Sequence, residues 1–145
     1  MRLLTLVLLA FCTCLIGVAL WLRVKAREAF RRAVRSLGEP DFSYDGPDGG
    51  FLDSGSSIAI HTGRRLVHLR QGRTWRSYPL DAVHSWAAPS VPGDGALVVR
   101  VNDTDHPEWR IDMPSLEQRT WCEVLELAMR HPGVTDSRPS GTESI

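Results

Sequence analysis

Residues 3–22, LLTLVLLAFCTCLIGVALWL, are twenty consecutive positions without a charge, and RVKAREAFRRAVR follows at once. At about 1.5 Å of rise per residue, a helix of that length covers about 30 Å, the hydrocarbon thickness of a bilayer. Inside lipid the backbone must satisfy its own polar groups. The run therefore predicts a transmembrane helix over residues 1–22, and everything after it must fold as the cargo of that helix.

The flanks assign a side. Trp21 stands where an amphipathic ring prefers the headgroup level, and Arg23, Lys25, Arg27, Arg31, Arg32 and Arg35 follow against the single Glu28. These seven side chains form the expected membrane-interface set, and the excess of basic residues places the C-terminal side in the cytoplasm with the N-terminus outside. A cleaved signal peptide is the rival reading, with Gly17-Val18-Ala19 as a small-x-small cleavage site. The apolar run outlasts that site to Leu22, and the basic cluster beyond it resists translocation, so a retained single-pass anchor is the expectation. Cys12 and Cys14 lie inside the run, where Phe11 and Thr13 spoil a lipobox. Cys122 is then alone, too few for an internal disulfide or a zinc site.

The helical pattern does not stop at Leu22. Val24, Ala26, Ala29, Phe30, Ala33, Val34 and Leu37 alternate with the arginines, and nothing breaks a helix before Gly38 and Pro40. Residues 23–38 read as a basic juxtamembrane helix, either a collar on the membrane surface or a rigid stalk. Residues 39–50, rich in Gly, Pro and Asp, read as a linker.

The net charge of zero conceals an asymmetry: residues 1–40 carry seven Lys+Arg against two Asp+Glu, and residues 41–145 carry ten against fifteen. The basic end suits anionic lipid headgroups. The acidic remainder argues against nucleic acid as a partner, which needs a basic face.

From Phe51 onward the period changes. Short alternating runs at 57–61, 66–70, 75–78, 82–87, 96–102 and 109–113 are separated by turn residues, which predicts six or seven antiparallel strands in a small sheet or partly open barrel. Ser115 and Gln118 then match a capping box, and Leu116, Trp121, Val124, Leu125 and Ala128 give one apolar stripe, so a single helix over 115–130 closes the domain. The fold class is α+β, with a domain over residues 51–131 and a disordered polar tail over 132–145.

Strands in meander order followed by one amphipathic helix resemble a bacterial pleckstrin-homology-like (PH-like) domain. The residues that carry the resemblance are Arg76-Ser77-Tyr78-Pro79-Leu80-Asp81-Ala82-Val83, similar to the turn joining two strands in such domains, the later hairpin at Gly95–Arg100 and Trp109–Ile111, and Trp121, Val124, Leu125 and Ala128 of the closing helix. The chain also resembles small bacterial membrane-anchored proteins of unknown function. The likeness implies binding of lipid headgroups or a protein, in a bacterial inner membrane, and it transfers no functional residue.

Arg64, Arg65, Arg70, Arg73 and Arg76 crowd the first strands and their turns and are the candidate lipid- or partner-binding residues; solubility and protection of strand edges would explain them as well. Asp103, Asp105 and Glu108 share a loop, but no calcium-loop pattern surrounds them. The five histidines show no metal-ligand spacing. No G-x-S-x-G elbow and no phosphate-binding glycine loop occurs. No catalytic residue, metal or cofactor is therefore expected. Trp75 and Trp86 would form an interface anchor if exposed together. The expected function is a membrane-anchored, non-enzymatic binding module for a protein partner or anionic lipid. An immunity protein neutralising a toxin at the inner membrane, and a hydrolase with an unrecognised site, are the alternatives.

Overall fold

The computed structural model describes residues 2–47, 55–88 and 95–130. Helix α1, Arg2–Ser36, is continuous: the division at residue 22 is one of chemistry and not of backbone. Ala, Arg and Leu are good helix formers, and no proline interrupts them. Its apolar part is unburied by protein and long and apolar enough to span a membrane. The helix ends where Gly38 takes φ +104°, a conformation that favours glycine.

The chain then reverses. Asp41 donates its N–H to the Ile60 carbonyl at 3.0 Å, and its carboxylate accepts from the Thr62 N–H and hydroxyl at 2.7 Å each. Strand β1, Phe42–Asp45, follows inside the stretch read from sequence as a linker. Four residues flanked by Gly, Pro and Asp are too few to show an alternation.

Strands β2 (Ser56–His61), β3 (Leu66–Gln71) and β4 (Thr74–Pro79) complete an antiparallel sheet in the order β1-β2-β3-β4. After the 3₁₀ turn Leu80–Ala82, strands β5 (Val83–Ala87), β6 (Ala96–Val101) and β7 (Glu108–Asp112) form a second antiparallel sheet. Helix α2 spans Ser115–Arg130. The α+β class stands, with seven strands among the described residues, but the two sheets do not close into a barrel.

Side chains of alternate residues meet between the sheets: Ile58, Ile60, Val67 and Leu69 from the first, Leu97, Val99, Trp109 and Ile111 from the second, and Trp121, Leu125 and Ala128 from α2. Two side chains bridge the sheets where no ladder runs. The Arg110 N–H donates to Gln71 Oε1 at 3.1 Å, and the Asp112 N–H donates to Ser56 Oγ at 2.7 Å. Gly46 sits in the same seam, where a Cβ would lie 2.8 Å from the Ser56 carbonyl oxygen.

Helix α2 departs from the expected stripe at one end. Leu116 is exposed, and the buried positions are Gln118, Trp121, Leu125 and Ala128. The Gln118 amide folds back to donate to the Met113 carbonyl at 2.9 Å, which satisfies a buried polar side chain at the start of the helix. The end of the expected linker (48–50), the start of the expected domain at Phe51 and the expected tail over 132–145 lie outside the described residues.

Candidate functional site

Every residue of β2 is buried, so this strand is covered on both faces. The second cover is α1. Phe30 and Val34, each 5 % exposed, pack on Ala59 of β2, with Trp75 of β4 beside them. The Phe30 and Trp75 rings meet edge to face at 6.4 Å. Ala59 is the small residue that lets the helix approach. The apolar pair at 30 and 34 thus has a sheet as its cover, and of the two sequence readings, collar and stalk, the stalk matches this packing.

Polar groups surround that contact. Asp45 of β1 accepts from Arg27 Nη2 at 2.9 Å and Arg31 Nη2 at 2.5 Å through Oδ2, and from Ser57 Oγ at 2.6 Å through Oδ1. Arg70 of β3, only 2 % exposed, donates to Ser57 Oγ at 2.9 Å and to the Gly72 carbonyl at 3.2 Å, and lies 3.5 Å from Asp45 Oδ1. Partial burial pushes the Asp45 pKa up, but the hydrogen bonds from Ser57, Arg31 and Arg27 outweigh it and lower the value to about 2. This carboxylate joins helix α1 to three strands.

Farther along the same face, a chain of hydrogen bonds crosses the sheet. Ser77 Oγ lies 2.5 Å from His68 Nδ1, His68 Nε2 lies 3.1 Å from His61 Nδ1, and His61 Nε2 lies 3.3 Å from the Gly38 carbonyl. Since a carbonyl only accepts, one consistent assignment runs from the Ser77 hydroxyl through both rings to Gly38, with each imidazole neutral. Burial, and then the neighbouring His61, push the His68 pKa down to about 4. Ser77 and His68 do place a hydroxyl against a ring nitrogen. Neither residue lines the cleft of about 520 Å³ that opens between the end of α1 and β1, whose walls include Val34, Arg35, Glu39 and Tyr44.

The contacts fix the direction of the sheet. Asp45 and Ser57 sit against Arg27 and Arg31, Ala59 against Phe30 and Val34, and His61 against Gly38. Strand β2 therefore runs beside α1, and both lead away from the apolar segment. The order of these contacts along β2 follows their order along the chain from Arg27 to Gly38, so α1 and β2 run in the same direction.

The five candidate arginines consequently separate. Arg64 and Arg65 occupy the β2–β3 turn at the far end, where Arg65 pairs with Asp81 at 2.7 Å. Arg73 is exposed in the β3–β4 turn at the end nearest the apolar segment. Arg70 is buried under α1. Arg76 points to the other face, where Asp103 Oδ2 accepts from its Nη1 at 2.5 Å and from the Tyr78 hydroxyl at 2.7 Å. The Tyr78 hydroxyl, the Asp105 N–H and Arg76 together lower the Asp103 pKa to about 2. Asp103 is thus committed to holding its loop against β4.

The seven interface residues also divide. The Lys25 ammonium lies 4.0 Å over the Trp21 ring. Arg27 and Arg31 turn inward to Asp45, Arg23 is half-buried, and Arg32 and Arg35 are exposed. Trp75 is engaged with Phe30, whereas Trp86 packs on the main core from the other sheet, so the two do not form one exposed anchor.

Sequence reasoning did not single out Asp45, Ser57, His61 and His68. The available signal was on β2 and β3, where Ser57, Ala59, His61, His68 and Arg70 are all on one face, with an alanine at its middle. No family model, no curated protein and no solved structure matches this chain.

Proposed function

We propose that the chain is a single-pass membrane protein that holds a non-enzymatic, PH-like binding domain against the cytoplasmic face of a bacterial inner membrane. Its ligand is a protein partner or anionic lipid. The observation that carries this reading is the continuity of α1 from an apolar segment into a docked stalk, locked by Phe30, Val34 and Asp45. A flexible tether would leave the domain free to turn; a docked stalk fixes which surface meets the bilayer and which meets the cell. Such a mount suits a module whose work is to present a surface.

Hydrolysis has one contact in its favour, the Ser77–His68 pair. A histidine with its pKa depressed to about 4 is a weak base near neutral pH, and neither residue of the pair lines the cleft. We assign it to structure.

The test is made on the full chain in native membranes. Alkaline extraction should leave it in the membrane, a C-terminal alkaline-phosphatase fusion should be inactive, and cross-linking should capture a reproducible protein or anionic-lipid adduct. Alkaline-phosphatase activity would overturn the orientation, and release by alkali would overturn the anchor.

A further inference from the structure

We propose that the near rim of the four-stranded sheet rests in the headgroup layer, and that Arg73 there, with Arg23 and Lys25 of α1, binds anionic lipid headgroups while Arg64 and Arg65 do not. The inference rests on the spanning reading above and adds the surface and the ligand class.

The height follows from the helix. Arg27 lies five residues beyond Leu22, about 7 Å along the axis, and Arg31 about 13 Å. Asp45, Ser57 and Arg70 are bonded to this stretch or to each other and share its level. Arg70 pairs with Trp75 across the β3–β4 hairpin, so Arg73 lies at its tip, closer to the bilayer. The polar layer on each side of the hydrocarbon core is about 5–7 Å deep. The β3–β4 turn meets it, whereas the β2–β3 turn, at the other end of β3, lies about 20 Å farther out. An average tilt of about 20° shifts both turns without exchanging them.

Charge agrees with height. The Asp45 carboxylate near this rim is committed to Arg27, Arg31, Ser57 and Arg70. Among the described residues, the other carboxylates at this end are Asp112, whose N–H bonds Ser56, Glu117, which is bonded to Tyr44, and the exposed Glu28 on α1. Arg23 and Lys25 stand beside the apolar segment of α1, and Arg73 stands at the hairpin tip nearest to it. At the far turn Arg65 is paired with Asp81 and beyond the reach of a headgroup.

The full chain, with Cys12, Cys14 and Cys122 replaced by Ser, is placed in nanodiscs of phosphatidylcholine with phosphatidylglycerol. A fluorophore is attached at Arg73→Cys or at Arg64→Cys, and a quencher is carried on the lipid headgroup. Strong quenching at 73 and little at 64 is expected; equal or reversed quenching overturns the proposal. In the unlabelled chain, Arg73→Gln should lower the preference for phosphatidylglycerol over phosphatidylcholine about five-fold, the effect of one charge near the surface. Arg64→Gln should leave that preference unchanged. Equal losses, or none, overturn the lipid contact. Alkaline extraction of each variant separates the two failures: a released chain refutes the anchor, and a retained chain with equal quenching refutes the orientation of the sheet.

Discussion

Asp45 gathers Arg27, Arg31 and Arg70 around one carboxylate, and Arg70 has almost no exposure to water. Removing one partner of such a group leaves a buried cation short of its acceptor. Asp45→Ala should lower unfolding free energy by about 2–3 kcal/mol, read from denaturant unfolding of the full chain in detergent; Asp45→Asn, which keeps the Ser57 bond, should cost less. A loss below about 0.5 kcal/mol would mark the cluster as an ordinary surface pair. Acid should act in two stages. His68 falls to about 4 from 6.5, so the unfolded chain binds more protons between those values, and stability falls as pH drops from about 6.5 to about 4. Asp45 and Asp103 fall to about 2 from 3.8; their contribution is present above about 4 and is lost as pH falls towards 2. Melting temperature against pH should show both declines, and His68→Asn should remove the first alone. Little of this was legible in the sequence. Arg70 stood among five similar arginines, and nothing local distinguishes a cation under a helix from one in a turn. Asp45 sat in a Gly/Pro/Asp-rich stretch that looks like any loop.

Helix α1 was the most legible element, because an uncharged run of that length has few other fates. Its second half was legible as a helix but not in its contacts: an apolar stripe needs a cover, and periodicity does not say whether lipid or a sheet supplies it. The strands were found because each alternates, except β1, which is four residues long. Phe30→Ala should cost about 3 kcal/mol, the loss expected for a buried aromatic, and should loosen α1 from the sheet before the core unfolds. In α2 the exposed end and the buried stripe should part company. Leu125→Ala, fully buried, should cost about 2–5 kcal/mol. Leu116→Ser, at 77 % exposure, should change stability by less than about 0.5 kcal/mol. Parity between these two in thermal denaturation would contradict the packing of α2 described above.

At the scale of the molecule, helix α1 and the first sheet are joined through Phe30, Val34 and Asp45. Charge asymmetry along the chain divides it into a basic first part and an acidic remainder. It could not foretell that two of the basic residues, Arg27 and Arg31, would be drawn to the domain's own Asp45, because that pairing depends on the register of β1 against β2. The candidate arginines likewise needed the hairpin geometry before they divided into near, far and buried. The most direct test of a docked stalk is amide hydrogen exchange on the full chain in nanodiscs. Amides of residues 27–36 should exchange as slowly as those of β2 and β3 in the intact protein and should be selectively accelerated by Phe30→Ala with Asp45→Ala. If the combined substitution leaves those amides unchanged, or if they exchange rapidly in the intact protein while the sheet stays protected, α1 is a free stalk and the docked arrangement is wrong.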